Sequence, residues 1–487
     1  MPKLHARGLA LAVTVALLAG CTVGPPHTRP DVSLPTEFDQ ASSEQTAAAP
    51  GTAVWQAFDD PALARLIERT LVANTSIAQA EARLAETRAL SGLTRYSLFP
   101  TVTAATDAGR SRASNQDPFV PPGLGTIETY RAGFDATWEL DLFGGLRNRS
   151  RAIRTRTEAN AAELRVVRIS MVAETAQTYF ALRGAQRRLA LAKENLAAAD
   201  EVLGVIELLY ENGRQNGVDF ARARAQRSSL AANLPQREAE LVAQEQRLAV
   251  LTAQPVAAVR EQVGEASTFP ELPTLVTAGT PEAWLQRRPD IIAAERRLAA
   301  SRNDVGEEIA QYFPKLFLDG AFGWTGQVAN VLGDSGAQRW QWGPSLTWRF
   351  LDFGRVRQNV KAAEARADGS VAAYRETVLR ALEETENALA GYRASNRAAI
   401  ELGNAAEAAG EASRLSRLRF EAGADDALAL LQTEQTRIDL EDAAVQAQTS
   451  RTTALAALYK AVAGDFAEAS DGVGAMPAAA QENAPST

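Results

Sequence analysis

Between Tyr130 and Asp141 apolar and polar residues alternate almost without a break. Tyr130, Ala132, Phe134, Ala136, Trp138 and Leu140 share one parity; Arg131, Gly133, Asp135, Thr137, Glu139 and Asp141 share the other. Period two over such a run predicts a strand with one apolar and one polar face. The pattern returns as Trp340, Trp342, Leu346, Trp348 and Phe350 against Gln341, Ser345, Thr347 and Arg349. A weaker strand signal precedes each, over 101–113 and 315–327, so the expectation is two hairpins.

The second pattern is helical and much longer. Arg147 to Tyr210 holds no proline, is rich in Ala, Leu, Glu and Arg, and is followed by the helix stop Gly213; Arg357 to Phe420, followed by Gly423, is its twin. Apolar residues recur at three and four spacing, as in Val172, Thr175, Tyr179 and Leu182, which predicts side-by-side helix packing. Shorter return helices are expected over 218–252 and 290–311. Pro235 inside the first marks either a kink or a misplaced boundary. Pro255, Pro270, Pro273, Pro281 and Pro289 break the stretch between them into a belt of irregular structure and small elements.

Both patterns occur twice because the chain is duplicated. Ile77, Ala80, Glu81, Arg83, Leu84, Phe99 and Pro100 return 214 residues later as Ile291, Ala294, Glu295, Arg297, Leu298, Phe313 and Pro314. After a loop four residues shorter in the second copy, Trp138, Phe143, Gly144, Glu174, Thr175, Gly213 and Leu248 return at an offset of 210. A period this long is a duplicated half-molecule, since solenoid units repeat every ~20 to 50 residues.

A two-faced strand fits either the wall of a membrane barrel around a wet lumen or a soluble sheet packed on a core. The strand lengths match the ~9 to 11 residues that a tilted strand needs to cross a bilayer. Trp138, Trp340, Trp342 and Trp348 would then stand in the barrel wall or in an aromatic girdle at the membrane interface. Four strands cannot close a barrel, because single-chain barrels begin at about eight and open edges in lipid leave backbone groups unsatisfied. The chain must therefore oligomerise, as two copies or as three.

The ends agree with export. Lys3 and Arg7, an apolar run from Leu9 to Gly20 and then Cys21 make a three-part secretory signal over residues 1–20. That run is too short to span a bilayer as a helix. Leu18 to Cys21 reads LAGC and resembles a bacterial lipobox, which makes Cys21 the lipid-bearing first residue of the mature chain. Thr22, where an aspartate would retain some lipoproteins at the inner membrane, favours the outer membrane. Cys21 is the only cysteine, which excludes intramolecular disulfides and multi-cysteine metal sites. Of two histidines, His5 lies in the signal and His27 in a Pro-rich linker, so no histidine triad or histidine metal site is expected. We therefore expect no enzyme, no metal and no cofactor beyond the covalent lipid. A formal charge of -8 gives no basic footprint for nucleic acid. Residues 465–487 read as a disordered tail.

The strings CTVGP from Cys21, WQAFDDPAL from Trp55, WELDLFGGLR from Trp138, RRPDIIAAERRL from Arg287, FP at Phe313 and ALYKAVAG from Ala457 resemble the TolC-like outer-membrane efflux proteins. More specifically, they resemble the lipidated, NodT-type branch that works with resistance-nodulation-division pumps. Pro26 and His27 stand where that family usually has Asp and Tyr. The resemblance implies an α+β membrane protein: a homotrimer with four transmembrane strands per chain in a twelve-stranded barrel, and long coiled-coil helices forming a periplasmic α-barrel tunnel. It implies the domain plan 21–60 lipidated linker, 61–254 first efflux repeat, 255–280 equatorial linker and 281–464 second repeat. It further implies a passive duct for small molecules in a Gram-negative outer membrane, held by outer-membrane lipid and opened at its periplasmic tip by an adaptor docked on an inner-membrane transporter. A type I secretion channel shares this architecture, and a structural periplasmic lipoprotein is the alternative of another class.

The tip turns are expected at 211–219 and 421–426, with Gly213 and Gly423 reversing the chain. The family places acidic residues a few positions past the second glycine around the pore. Here Ala429 and Gln432 take the inward spacings and the acids are Asp425, Asp426 and Glu434. Asp425 and Asp426 are either gate acids or helix caps, and Asp219 with Arg222 is either a gate link or an intrahelical pair. Arg147, Arg149, Arg151, Arg154 and Arg156 either meet phosphates, line the tunnel or form a solvated face. An acidic lumen formed by three copies would prefer cations.

Overall fold

The computed structural model describes residues 22–40, 55, 58–114, 116, 125–265, 269 and 280–462. The expected signal, Cys21, Pro270, Pro273 and the tail at 465–487 lie outside the described residues. In chain order the elements are α1 (Pro61–Ala73), α2 (Thr75–Tyr96), β1 (Thr101–Arg112), β2 (Thr126–Leu140), α3 (Gly145–Glu211) and α4 (Gly217–Thr252). There follow α5 (Val256–Val263), α6 (Pro281–Leu285), α7 (Pro289–Ala310), β3 (Lys315–Gly326), β4 (Gln338–Thr347), α8 (Phe353–Glu421) and α9 (Ala427–Val462). The helix α4 runs through Pro235 without interruption, which resolves the boundary question raised by that proline. The chain divides into two compact units. One draws on the described residues of 1–31, 83–161 and 293–375, the other on those of 32–82, 162–292 and 376–487.

The first unit holds a four-stranded antiparallel sheet in the order β1-β2-β3-β4. Its register sorts the two parities onto two faces. One row across the strands is Ala104, Phe134, Phe322 and Trp340; the next row on the other face is Thr103, Asp135, Ala321 and Gln341. On the polar face Asp319 accepts hydrogen bonds from Thr137 Oγ1 at 3.1 Å and Ser345 Oγ at 2.5 Å, tying β2, β3 and β4 together. Phe134, Phe322, Trp340 and Trp342 are exposed on the apolar face. Such a face is stable in lipid or under a partner, and costly in water.

One expectation needs correction here. The fourth strand ends at Thr347, so Trp348 to Phe350 are not part of it. The Trp348 indole donates to the Tyr312 carbonyl at 3.1 Å and its ring packs near Phe350 and Phe353. In the register Trp340 and Trp342 lie opposite Phe322 and Gly320, and Trp138 lies opposite Leu318, nearer the end where the helices begin. The arginine crowd at the start of α3 is partly neutralised, since Arg147 Nε sits 3.1 Å from Asp141 Oδ2 and Arg156 pairs with Asp304.

The second unit is helical. Asp60 caps α1 by accepting from Ala62 N and Leu63 N, and its other oxygen accepts from Tyr179 Oη at 2.5 Å. Phe58 packs on Phe180 and Tyr459, with ring centroids 5.0 and 6.0 Å away, so the segment just before α1 shares one aromatic core with α3 and α9. The duplication is visible in how the return helices end. Asn74 Nδ2 donates to the Leu251 carbonyl at 2.8 Å, and Arg288 Nη1 donates to the Ala461 carbonyl at 3.1 Å. These residues correspond by the offsets of 214 and 210. An amide satisfies the helix end in one half and a guanidinium does so in the other. The larger, charged group then needs partners of its own, Asp290 at 2.8 Å and Glu384 at 2.6 Å.

Candidate functional site at the paired helical tips

The two tip turns are built identically. After α3, Gly213 N donates to the Tyr210 carbonyl at 3.0 Å and Arg214 N to the Leu209 carbonyl at 2.8 Å. After α8, Gly423 N donates to Phe420 at 2.9 Å and Ala424 N to Arg419 at 2.8 Å. This is a Schellman turn at each end, and its left-handed residue is the glycine, with φ of 69° at Gly213 and 72° at Gly423. The next helix is then started by a side chain: Asn216 Oδ1 accepts from Val218 N and Asp219 N, and Asp426 Oδ1 accepts from Ala429 N at 2.9 Å. Asp426 is therefore a helix cap in this chain.

The remaining tip residues fall into three environments. Asp219 is buried and held by Asn216 Nδ2 at 2.7 Å and Gln215 Nε2 at 3.0 Å, with Arg222 Nη1 at 3.4 Å, so Asp219 and Arg222 form an intrahelical pair. Asp425 takes both arms of Arg419 at 2.8 Å, and these bonds hold its carboxyl below the ordinary range. Gln432 is exposed.

Glu434 is buried and is the centre of a cross-helix network that spacing alone did not reveal. Its Oε1 accepts from Ser413 Oγ and Arg417 Nη2, both at 2.8 Å, and its Oε2 from Arg437 Nε at 3.0 Å. Arg437 continues to Glu441 at 2.6 Å and to Asn195 Oδ1 at 3.0 Å, so α8, α9 and α3 are tied through one carboxylate. Burial alone would push the Glu434 carboxyl up; the Arg417 and Ser413 hydrogen bonds and the Arg437 charge outweigh it and hold the group below its usual value. Further along, Asp442 binds Arg188 at 2.8 and 2.9 Å and Arg237 at 3.2 Å, joining α9 to α3 and α4. The i to i+3 and i+4 spacing of Glu434, Arg437 and Glu441 was a readable signal; Ser413, Arg417 and Asn195 come from other helices and left none.

Below these links Val202, Ile206, Ala223, Ala427, Leu430 and Leu431 form an apolar core that holds both hairpin tips together. A groove of about 680 Å³ runs between α3, α8 and α9, edged by Arg187, Arg414 and Glu441. Among the described residues no His, Cys, Asp and Glu cluster could hold a metal ion, and no helix is long and apolar enough to cross a membrane.

The family model described as outer membrane efflux protein matches residues 66–254 and 280–464. The chain belongs to the outer membrane efflux protein family. It is 31% identical to outer membrane protein OprJ of Pseudomonas aeruginosa over 96% of this chain and 97% of that one. It is 29% identical to nodulation protein T of Rhizobium leguminosarum bv. trifolii over 86% of this chain and 89% of that one. Among solved structures it resembles the outer-membrane channel OprN, with a TM-score of 0.85 and 35% identity over 92% of this chain and 100% of that chain. As an outer membrane efflux protein it has the TolC-like trimeric channel fold expected from its sequence, and its function is that of an efflux channel in a Gram-negative outer membrane.

Proposed function

We propose that this protein is the passive outer-membrane duct of a tripartite pump, carrying small molecules from an inner-membrane transporter to the exterior without chemistry of its own. The observation that carries the reading is the pairing, in one chain, of a sheet with an exposed apolar face and two helical hairpins with equivalent capped turns. The sheet faces lipid, and the edges of β1 and β4 are closed by neighbouring copies. The two turns are the docking points for a periplasmic adaptor, and Cys21 carries the acyl chains that add a second membrane contact.

Single-channel recording of the detergent-purified protein in a planar bilayer, with its oligomeric mass measured on the same sample, tests the duct. Small discrete openings from a particle of three chains are expected; a well-folded but silent monomer would overturn the reading. Acyl labelling tests the anchor separately: Cys21→Ser is expected to abolish label while the trimer persists, and label retained by that variant would sink the lipobox assignment.

A further inference from the structure

Both long helices begin with a charge that their own dipoles disfavour. The positive end of a helix favours acids, yet neither α3 nor α8 carries one in its first turn. Cations stand near both starts instead: Arg147, Arg149, Arg151, Arg154 and Arg156 on α3, and Arg355, Arg357 and Lys361 on α8. Internal acids account for some of them. Asp141 takes Arg147, Asp304 takes Arg156, Asp352 takes Arg355, and Arg149 stands near Glu307. Arg151, Arg154, Arg357 and Lys361 are exposed and make no ion pair or side-chain hydrogen bond among the described residues. Arg357 is the duplicate of Arg147, but Leu351 stands where Asp141 stood, so the second half has lost that partner.

Their placement points them toward the membrane end. At about 100° per residue Arg147, Arg151 and Arg154 fall within an arc of about 60°, while Arg149 and Arg156 lie on the opposite side of α3, the side of the α7 acids. Gly144, whose carbonyl accepts from Asn148 N at 2.8 Å, heads α3. It is also where the N-terminal segment lands: a Cβ on Gly144 would sit 2.8 Å from Thr22 Cγ2, and Val23 N donates to the Phe143 carbonyl at 3.2 Å. Thr22 is the neighbour of Cys21, the expected acyl carrier. The row Leu140, Leu316 and Leu346 closes the apolar face of the sheet at this same end. Arg151 and Arg154 stand about 9 and 14 Å along the helix from Gly145. Helical side chains lean toward the N-terminus and long cationic ones extend to the interface, so both guanidiniums can reach back toward that row. A headgroup layer is roughly 5–8 Å deep, which suits that reach.

We propose that Arg151 and Arg154 of α3, with Arg357 and Lys361 of α8, form a binding surface for the phosphate groups of anionic phospholipids in the periplasmic leaflet. This rests on the reading in which the sheet faces lipid. The phosphodiester supplies the negative charge that the helix starts lack and that no described acid provides. The same surface fixes the height of the sheet in the bilayer: raising it would draw cations into hydrocarbon, and lowering it would part them from the phosphates.

Native mass spectrometry of the delipidated, detergent-purified full-length protein, titrated separately with dioleoylphosphatidylglycerol and dioleoylphosphatidylcholine, tests this. The trimer is expected to bind the anionic lipid at least about fivefold more tightly, the contribution of one cation near a charged surface. R151Q/R154Q and R357Q/K361Q should each reduce that preference and the four together should abolish it, whereas R149Q should leave it. R151K/R154K keeps the charge and should keep the preference, which separates lost binding from misfolding. Equal binding of both lipids by the parent trimer, or a preference that survives all four substitutions, would overturn the proposal. Displacement of the bound lipid by millimolar inorganic phosphate would mark a free-anion site and overturn it as well. A parent protein that takes up neither lipid would instead remove the membrane reading beneath it.

Discussion

The indole of Trp138 donates to the carbonyl of Leu98 at 3.0 Å, fastening β2 to the chain that leaves α2. The second half repeats the bond between Trp348 and Tyr312 at 3.1 Å, although Trp348 has already left its strand. The helix-to-strand junction is thus held by the same donor in both halves, at positions related by 210 and 214. Trp138→Phe keeps the ring and removes the donor, and is expected to cost about 1 kcal/mol, within the range for a single hydrogen bond. Trp348→Phe should cost less, because Trp348 is 47% exposed and water can replace its bond. Thermal melting of the detergent-solubilised protein checks the order; equal losses would contradict it.

Glu434 makes the tip acid-sensitive. Its folded carboxyl titrates below its ordinary value, so the network contributes fully above the unfolded value of about 4.3 and is lost as pH falls through the folded one. Asp442 is shifted the same way by Arg188 and Arg237 against the opposing effect of burial, so it adds to the same acid-side loss. Glu434→Ala removes the acceptor that Arg417 and Arg437 share; Arg437 keeps Glu441 and Asn195 and Arg417 is partly exposed, so the expected cost is about 1–3 kcal/mol at neutral pH. Hydrogen-exchange protection at 413–441, referred to the intrinsic exchange rate at each pH, should fall steeply from pH 7 to pH 3 in the parent and much less in Glu434→Gln. Parallel curves would remove Glu434 as the titrating group.

Arg288 joins the end of α9 to Asp290 and Glu384, and Glu384 also binds Lys460 at 2.8 Å. Arg288→Met is expected to expose the last turns of α9 to protease at neutral pH. Arg288→Lys should recover little, because a single ammonium cannot reach a carbonyl and two carboxylates with fixed fork geometry. Full recovery by lysine would mean that charge alone suffices there.

Gly213→Ala and Gly423→Ala each force a Cβ into the left-handed region, at about 1 kcal/mol apiece. No neighbour lies within 4 Å of either added Cβ, so the cost is conformational and the two should be nearly equal and additive. Chemical denaturation of the single and double variants reads this directly, and a much larger effect at one turn would show that the two are not equivalent.

Period and offset were enough to place the strands, the two long helices, the return helices and both tip turns. Each of these depends on neighbours within a few residues: alternation puts side chains on two faces, and a glycine supplies a left-handed φ wherever the helix must stop. The capping role of Asp426 and the pairing of Asp219 with Arg222 were readable for the same reason, as one of two local alternatives. Other features depend on which distant residues the fold brings within 3 Å. Glu434 could not be assigned a buried, triply bonded state until Arg417 and Ser413 came in from α8. Nor did alternation locate the end of β4 at Thr347, because pairing with β3, and not periodicity, decides where a strand stops. A carboxylate reads the same in sequence whether water or two guanidiniums surround it, because burial and partner choice are properties of the packed chain.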